Sequence, residues 1–115
     1  MISIDAFRQA ALSFPGTSEQ PHLEKTSFMV NRKIFATFNI GDKEAVLKLS
    51  AIDQSVFCST DRTVICPVKG AWGKQGWTTI NLESIKKTIL MDSLACAYCA
   101  VAPKKLSDNS KKGEG

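Results

Sequence analysis

The sequence predicts an α+β protein: a two-layer α/β sandwich whose antiparallel sheet carries its helices on one face, in the order α-β-β-β-α-β-β-α. Three observations predict it. Apolar residues recur at helical spacing near both ends of the 115-residue chain. Three consecutive runs in between alternate in the period of a strand. Short turn clusters, Asn31-Arg32-Lys33 and Gly41-Asp42-Lys43, join those runs as hairpins, which makes the meander antiparallel. A chain of this length fits one domain and buries a core of its own.

Taken in order, Ser3 caps a first helix with Ile4, Phe7, Ala11 and Phe14 on one side, and Pro15-Gly16 stops it. Residues 17–25 are polar and contain Pro21, so they read as a connecting loop, which carries His22. Strands follow over Thr26 to Val30, Ile34 to Ile40 and Glu44 to Ser50. Strict alternation sends Ile34, Ala36, Phe38, Leu47 and Leu49 to the helix-covered face, and Phe35, Thr37, Val46 and Lys48 to the other. Ala51 to Ser59 makes a short helix. The extended piece ending at Cys66-Pro67-Val68 reads as an edge strand, because proline cannot donate to a ladder. Gly70 to Trp77 is a glycine- and tryptophan-rich loop, Thr78 to Leu82 a strand, and Glu83 to Val101 a helix with a broad apolar side. Residues 107–115 are polar, rich in lysine and free of apolar anchors, and are expected to be a disordered tail.

Composition excludes several classes. Hydrophobic content of 43% with 23% charged residues is that of an ordinary globular domain. Asp5 and Arg8 break the N-terminal apolar stretch, so no secretory signal is read there, and no apolar run approaches the roughly 20 residues that cross a bilayer. A cytoplasmic protein with reduced thiols is therefore expected. The net charge is +4, and residues 25–74 hold eight Lys and Arg against four Asp and Glu. Such a balance favours nucleic acid, phosphate ligands or acidic proteins without choosing among them.

Catalytic constellations are missing from the pattern. His22 is the single histidine, near Glu19 and Glu24, and a general base also needs a nucleophile or metal beside it. Nothing of that kind stands at interpretable spacing, so His22 is assigned to a loop or pocket wall and the chain is expected not to be an enzyme. The four cysteines, Cys58, Cys66, Cys96 and Cys99, do not match the spacing of structural zinc fingers. The Cys96-Ala-Tyr-Cys99 pair lies late in a helix, where the dipole disfavours a thiolate. The cysteines are expected to be inert, and neither metal nor cofactor is implied.

The informative surface is the sheet face opposite the helices. With Phe35, Thr37, Lys48, Trp77 and Thr79 on it, rings can stack on bases while an ammonium meets phosphate. The Trp72–Trp77 loop, with Lys74, offers backbone N–H groups for an anion nest. The alternative use of the same face is cover by loops, a small anionic ligand or a protein partner.

Several stretches together resemble the MmcQ/YjbR family: Phe14-Pro15-Gly16, Pro21-His22, Ser27-Phe28, Lys33-Ile34-Phe35-Ala36, Leu47-Lys48-Leu49, Trp72 to Thr78, and Ala102-Pro103-Lys104-Lys105-Leu106. The resemblance runs in order from about residue 5 to 106, within a domain expected over residues 1–106, and implies the same α-β-β-β-α-β-β-α order. It also implies a DNA-binding protein without a known catalytic set. On the family's motif positions, Lys33, Lys48, Lys74, Lys104 and Lys105 become the candidate phosphate contacts, with Phe35, Trp72 and Trp77 as aromatic support.

Overall fold

The structure, a computed structural model, describes residues 2–102 except 23, 40 and 42. Ten elements alternate along it: α1 (Ile4–Leu12), β1 (Ser18–His22), β2 (Lys25–Val30), β3 (Lys33–Asn39), β4 (Glu44–Lys48), α2 (Ala51–Thr60), β5 (Ile65–Pro67), α3 (Ala71–Lys74), β6 (Trp77–Asn81) and α4 (Lys87–Val101). The six strands form one antiparallel sheet in the order β1-β2-β3-β4-β6-β5. The expected α+β sandwich is what forms, with two elements added to the order.

The helices α1 and α2 start at serine caps. Ser3 Oγ accepts from the Ala6 N–H at 3.0 Å, and Ser50 Oγ from the Asp53 N–H at 3.1 Å, satisfying donors that the first helical turn leaves free. At β2–β3 the chain reverses through Asn31 and Arg32, with φ of 52° and 65°. Two consecutive left-handed residues are the twist-matched two-residue hairpin turn.

One side of the sheet is the core. The rows Phe28, Ala36, Leu47, Thr78 and Thr26, Phe38, Ala45, Ile80 run across β2, β3, β4 and β6, and every one of these residues is buried. Phe7 of α1 sits edge-on to Phe28 and Phe38, with ring centroids at 5.9 and 5.8 Å. Leu90, Leu94, Ala97 and Tyr98 of α4 complete the layer. Tyr98 stacks on Phe14 at 5.0 Å and donates its hydroxyl to the Pro15 carbonyl at 2.5 Å, tying the end of α1 to α4.

Four expectations are corrected. Residues 18–22 are not a loop but the edge strand β1, paired with β2 from Ser18↔Met29 to His22↔Lys25. Its exposed Ser18, Gln20 and Pro21 left no apolar alternation to read, and proline is admissible because one side of an edge strand has no partner. The loop before β6 contains a single helical turn, α3. The last helix begins at Lys87, four residues later than expected, because Asn81 turns the chain first. Asn81 Oδ1 accepts from the Glu83 N–H at 2.9 Å and its carbonyl from the Ile85 N–H at 3.0 Å, so the buried Ile85 belongs to that turn.

The fourth correction moves two side chains between faces. Phe28 pairs with Ala36 while Met29 pairs with Ile34, so Phe35 is the extra residue of a β-bulge. Phe35 and Ala36 both turn inward with 0% exposure, and Phe35 meets Tyr98 edge-on at 5.7 Å. Ile34, expected in the core, lies on the opposite face and is 37% exposed.

Candidate functional site

The face away from α1 and α4 begins with a row in register across five strands: Ser27, Thr37, Val46, Thr79 and Cys66. Next to it Lys48 pairs with Trp77. Among the described residues no helix as long as α1, α2 or α4 covers this row, and the α3 turn stands at its corner. The result is a groove of about 350 Å³ lined by Lys25, Ile34, Thr37, Val46, Val68, Trp72 and Trp77. Its floor and walls are apolar apart from the Thr37 hydroxyl, the two indole N–H groups and the Lys25 ammonium.

Local packing fixes the tryptophan corner. A Cβ on Gly73 would stand 2.0 Å from the Val68 carbonyl oxygen, and one on Gly76, whose φ is 102°, 2.0 Å from that of Leu49. Only glycine permits the close approach and the left-handed backbone. Gln54 of α2 donates its amide to the Gly73 carbonyl at 2.9 Å, the Trp77 carbonyl at 3.2 Å and Thr78 Oγ1 at 3.1 Å, holding both ends of the turn. Trp72 and Trp77 then meet edge to face, with centroids 6.4 Å apart and planes at 65°. The quadrupoles of two indoles favour that arrangement over a flat stack.

Two donors of the expected anion nest are spent within the turn itself. Gln75 N–H donates to the Ala71 and Trp72 carbonyls and Gly76 N–H to that of Gly73, which leaves these donors nothing for a ligand.

The candidate lysines divide. Lys48 is on the outer face, as alternation with the buried Leu47 and Leu49 requires. Its ammonium donates to the Gln75 carbonyl and lies 5.5 Å from the Trp77 ring centroid, a cation–π contact. Lys48 is thus a strut between β4 and the turn after α3. Lys33 and Lys74 are exposed, as is Lys25, which sequence reasoning did not single out. None of the four takes part in an ion pair among the described residues, where the pairs are Arg8–Glu19 and Lys43–Glu83. Lys104 and Lys105, and the tail expected over 107–115, lie outside the described residues. Phe35, placed on this face by strict alternation, is in the core. His22 ends β1 with its backbone opposite Lys25, and its expected pocket-wall role rests on a side chain outside the description. The groove brings together Trp72 and Trp77 with Lys25, while Lys48 braces Trp77 without lining it; Ile34 and Lys25 were missed, Ile34 because a bulge leaves no mark in composition.

Two of the four thiols, Cys58 and Cys96, are held in the protonated form by burial. Burial raises the Cys96 pKa to about 11, with Asp53, Cys99 and Asp92 adding to the shift, and burial likewise raises that of Cys58. Thiols so shifted are protonated at neutral pH and poor nucleophiles. Among the described residues no three His, Cys, Asp or Glu side chains are grouped to hold a metal ion, and no helix is long and apolar enough to cross a membrane.

These features define an α+β protein with a helix-sealed face and an open, aromatic-edged face. Residues 12–100 match the model of the YjbR family, and the chain belongs to that family. A solved structure of the Deinococcus radiodurans protein DR2400, with a domain described as DUF419, superposes with a TM-score of 0.77 at 20% identity. The alignment covers 98% of this chain and 88% of that one, a likeness of fold. No curated protein matches the sequence.

Proposed function

We propose that this YjbR-family chain is a cytoplasmic DNA-binding protein, not an enzyme, and that it holds nucleic acid on its open sheet face. The observation that carries the reading is Trp72, a tryptophan 61% exposed at the lip of an apolar groove. Large aromatics are normally among the most buried side chains, so one held open by a clamped turn is available to a flat partner. Lys25 lines the groove and Lys74 is exposed on the turn beside it, both without carboxylate partners among the described residues, whereas Lys33, opposite the core residue Val30, is exposed at the hairpin end of the helix-side face; residues 25–74 carry the positive surplus. Aromatic stacking combined with scattered lysines is the chemistry of strand binding without base-edge readout. Lys48 supports it indirectly, by steadying Trp77 and the turn.

The test is titration of the full-length protein with single-stranded and duplex DNA at two salt concentrations. Binding that weakens with salt is expected; Lys25→Gln and Lys74→Gln should each lower the slope by about 0.7 for a single strand, and Lys33→Gln, on the other face, should leave it nearly unchanged. Absence of binding at low salt would overturn the proposal and leave the face to a small anionic ligand or a protein partner.

A further inference from the structure

Resting on the nucleic-acid reading of this face, we infer that the Trp72–Trp77 groove is a receptor for one unstacked nucleobase, and that the protein therefore selects single strands over duplex.

Size supports a single ring system. The groove's volume of about 350 Å³ lies at the low end of the roughly 300–1,000 Å³ of small-molecule sites. Shape supports a planar one. The indole planes meet at 65°, forming a corner, so a flat ring laid on one indole presents its edge to the other. The two indoles are not equivalent: Lys48 lies over the Trp77 ring, whereas Trp72 is 61% exposed. Trp72 is the stacking platform and Trp77 the braced wall.

Polarity supports a base with its backbone outside. Ile34, Val46 and Val68 line the groove, and the Thr37 hydroxyl and the two indole N–H groups are the uncharged polar side-chain groups among the lining residues. A phosphate in that interior would lose its hydration without compensation. At the Lys25 rim it keeps water and gains an ammonium. A duplex keeps its bases stacked inside and offers the groove no free ring. Only an unpaired base fits both the apolar interior and the basic rim.

The experiment uses the protein's own fluorescence, because both tryptophans of the chain are in the groove. Full-length protein is titrated with oligothymidylate of about twelve nucleotides, with an abasic strand of equal length and charge, and with the corresponding duplex. Quenching and binding about tenfold or more tighter for the base-bearing strand are expected, because each stacked base contributes roughly that much. Val46→Phe, which fills the groove, should reduce the base-bearing strand to the abasic level and leave abasic binding unchanged. Trp72→Ala provides the same comparison if Val46→Phe does not fold, since an exposed side chain can be removed without opening the core. Equal affinity for base-bearing and abasic strands would overturn the one-base groove while the phosphate-binding reading stands. Failure of every strand to bind at low salt would overturn both.

Discussion

The two faces of this one sheet are built from the same strands and do opposite things. On the helix side, Phe28, Phe38, Leu47 and Ile80 are sealed under α1 and α4, and their contribution is burial. On the other side, Thr37, Val46 and Lys48 alternate with them residue by residue; Thr37 is buried at the groove floor, Val46 and Lys48 are half-buried, and among the described residues the helix at this corner is the four-residue turn α3. The difference teaches that function here is not a separate module added to a stable scaffold. It is the face that the scaffold leaves uncovered, and a substitution one residue along a strand changes which property is lost.

The sharpest way to break that comparison is a matched pair on neighbouring strands. Phe38→Ala, which removes a ring packed against both Phe7 and Phe28, should destabilise the fold by about 3–5 kcal/mol in denaturant titration. Val46→Ala on the open face should cost about 1 kcal/mol or less, and equal costs would mean that the outer face is covered after all. Next in size is Gly76→Ala, which brings a methyl onto the Leu49 carbonyl in a backbone conformation unfavourable to alanine. A loss of about 2 kcal/mol or more, with weakened strand binding, would show that the turn's geometry serves both faces.

A smaller effect concerns pH. The folded Cys96 pKa, about 11, lies above the ordinary thiol value, so the folded state holds its proton more tightly than the unfolded chain. Its stabilising contribution is complete below the unfolded pKa, near 9, and is lost as pH rises through about 11. Cys96→Ala should flatten that alkaline decline, followed as melting temperature against pH. At neutral pH, chelator and reductant should leave the melting temperature unchanged. The smallest effect is expected at Trp72→Ala, within about 0.5 kcal/mol in stability because the ring is 61% exposed.

Much of the sealed face was legible because burial imposes a period. Alternation in Ile34 to Ile40 and Glu44 to Ser50 assigned Ala36, Phe38, Leu47 and Lys48 to the sides they occupy. The features missed are those without a period. A bulge adds one residue to β3 and exchanges Ile34 with Phe35. An edge strand such as β1, half of whose bonding capacity faces outward, tolerates Pro21 and polar side chains that read as a loop. In the site, tryptophans, glycines and lysines were visible as types. Their division of labour was not, because which indole is open and which lysine is spent on a carbonyl is settled by the packing of Gln54, Gly73 and Gly76, residues distant in sequence or silent in pattern.

The two borders of the sheet are β1 and β5, and each carries a proline, Pro21 and Pro67. A proline on an outermost strand interrupts the row of donors that an incoming peptide would need to extend the sheet. Growth sideways, whether by a partner's strand or by another copy of the chain, is obstructed at both margins. Whatever meets this protein through its sheet is thereby directed to approach perpendicular to it, as a guest laid on a tabletop whose leaves do not open.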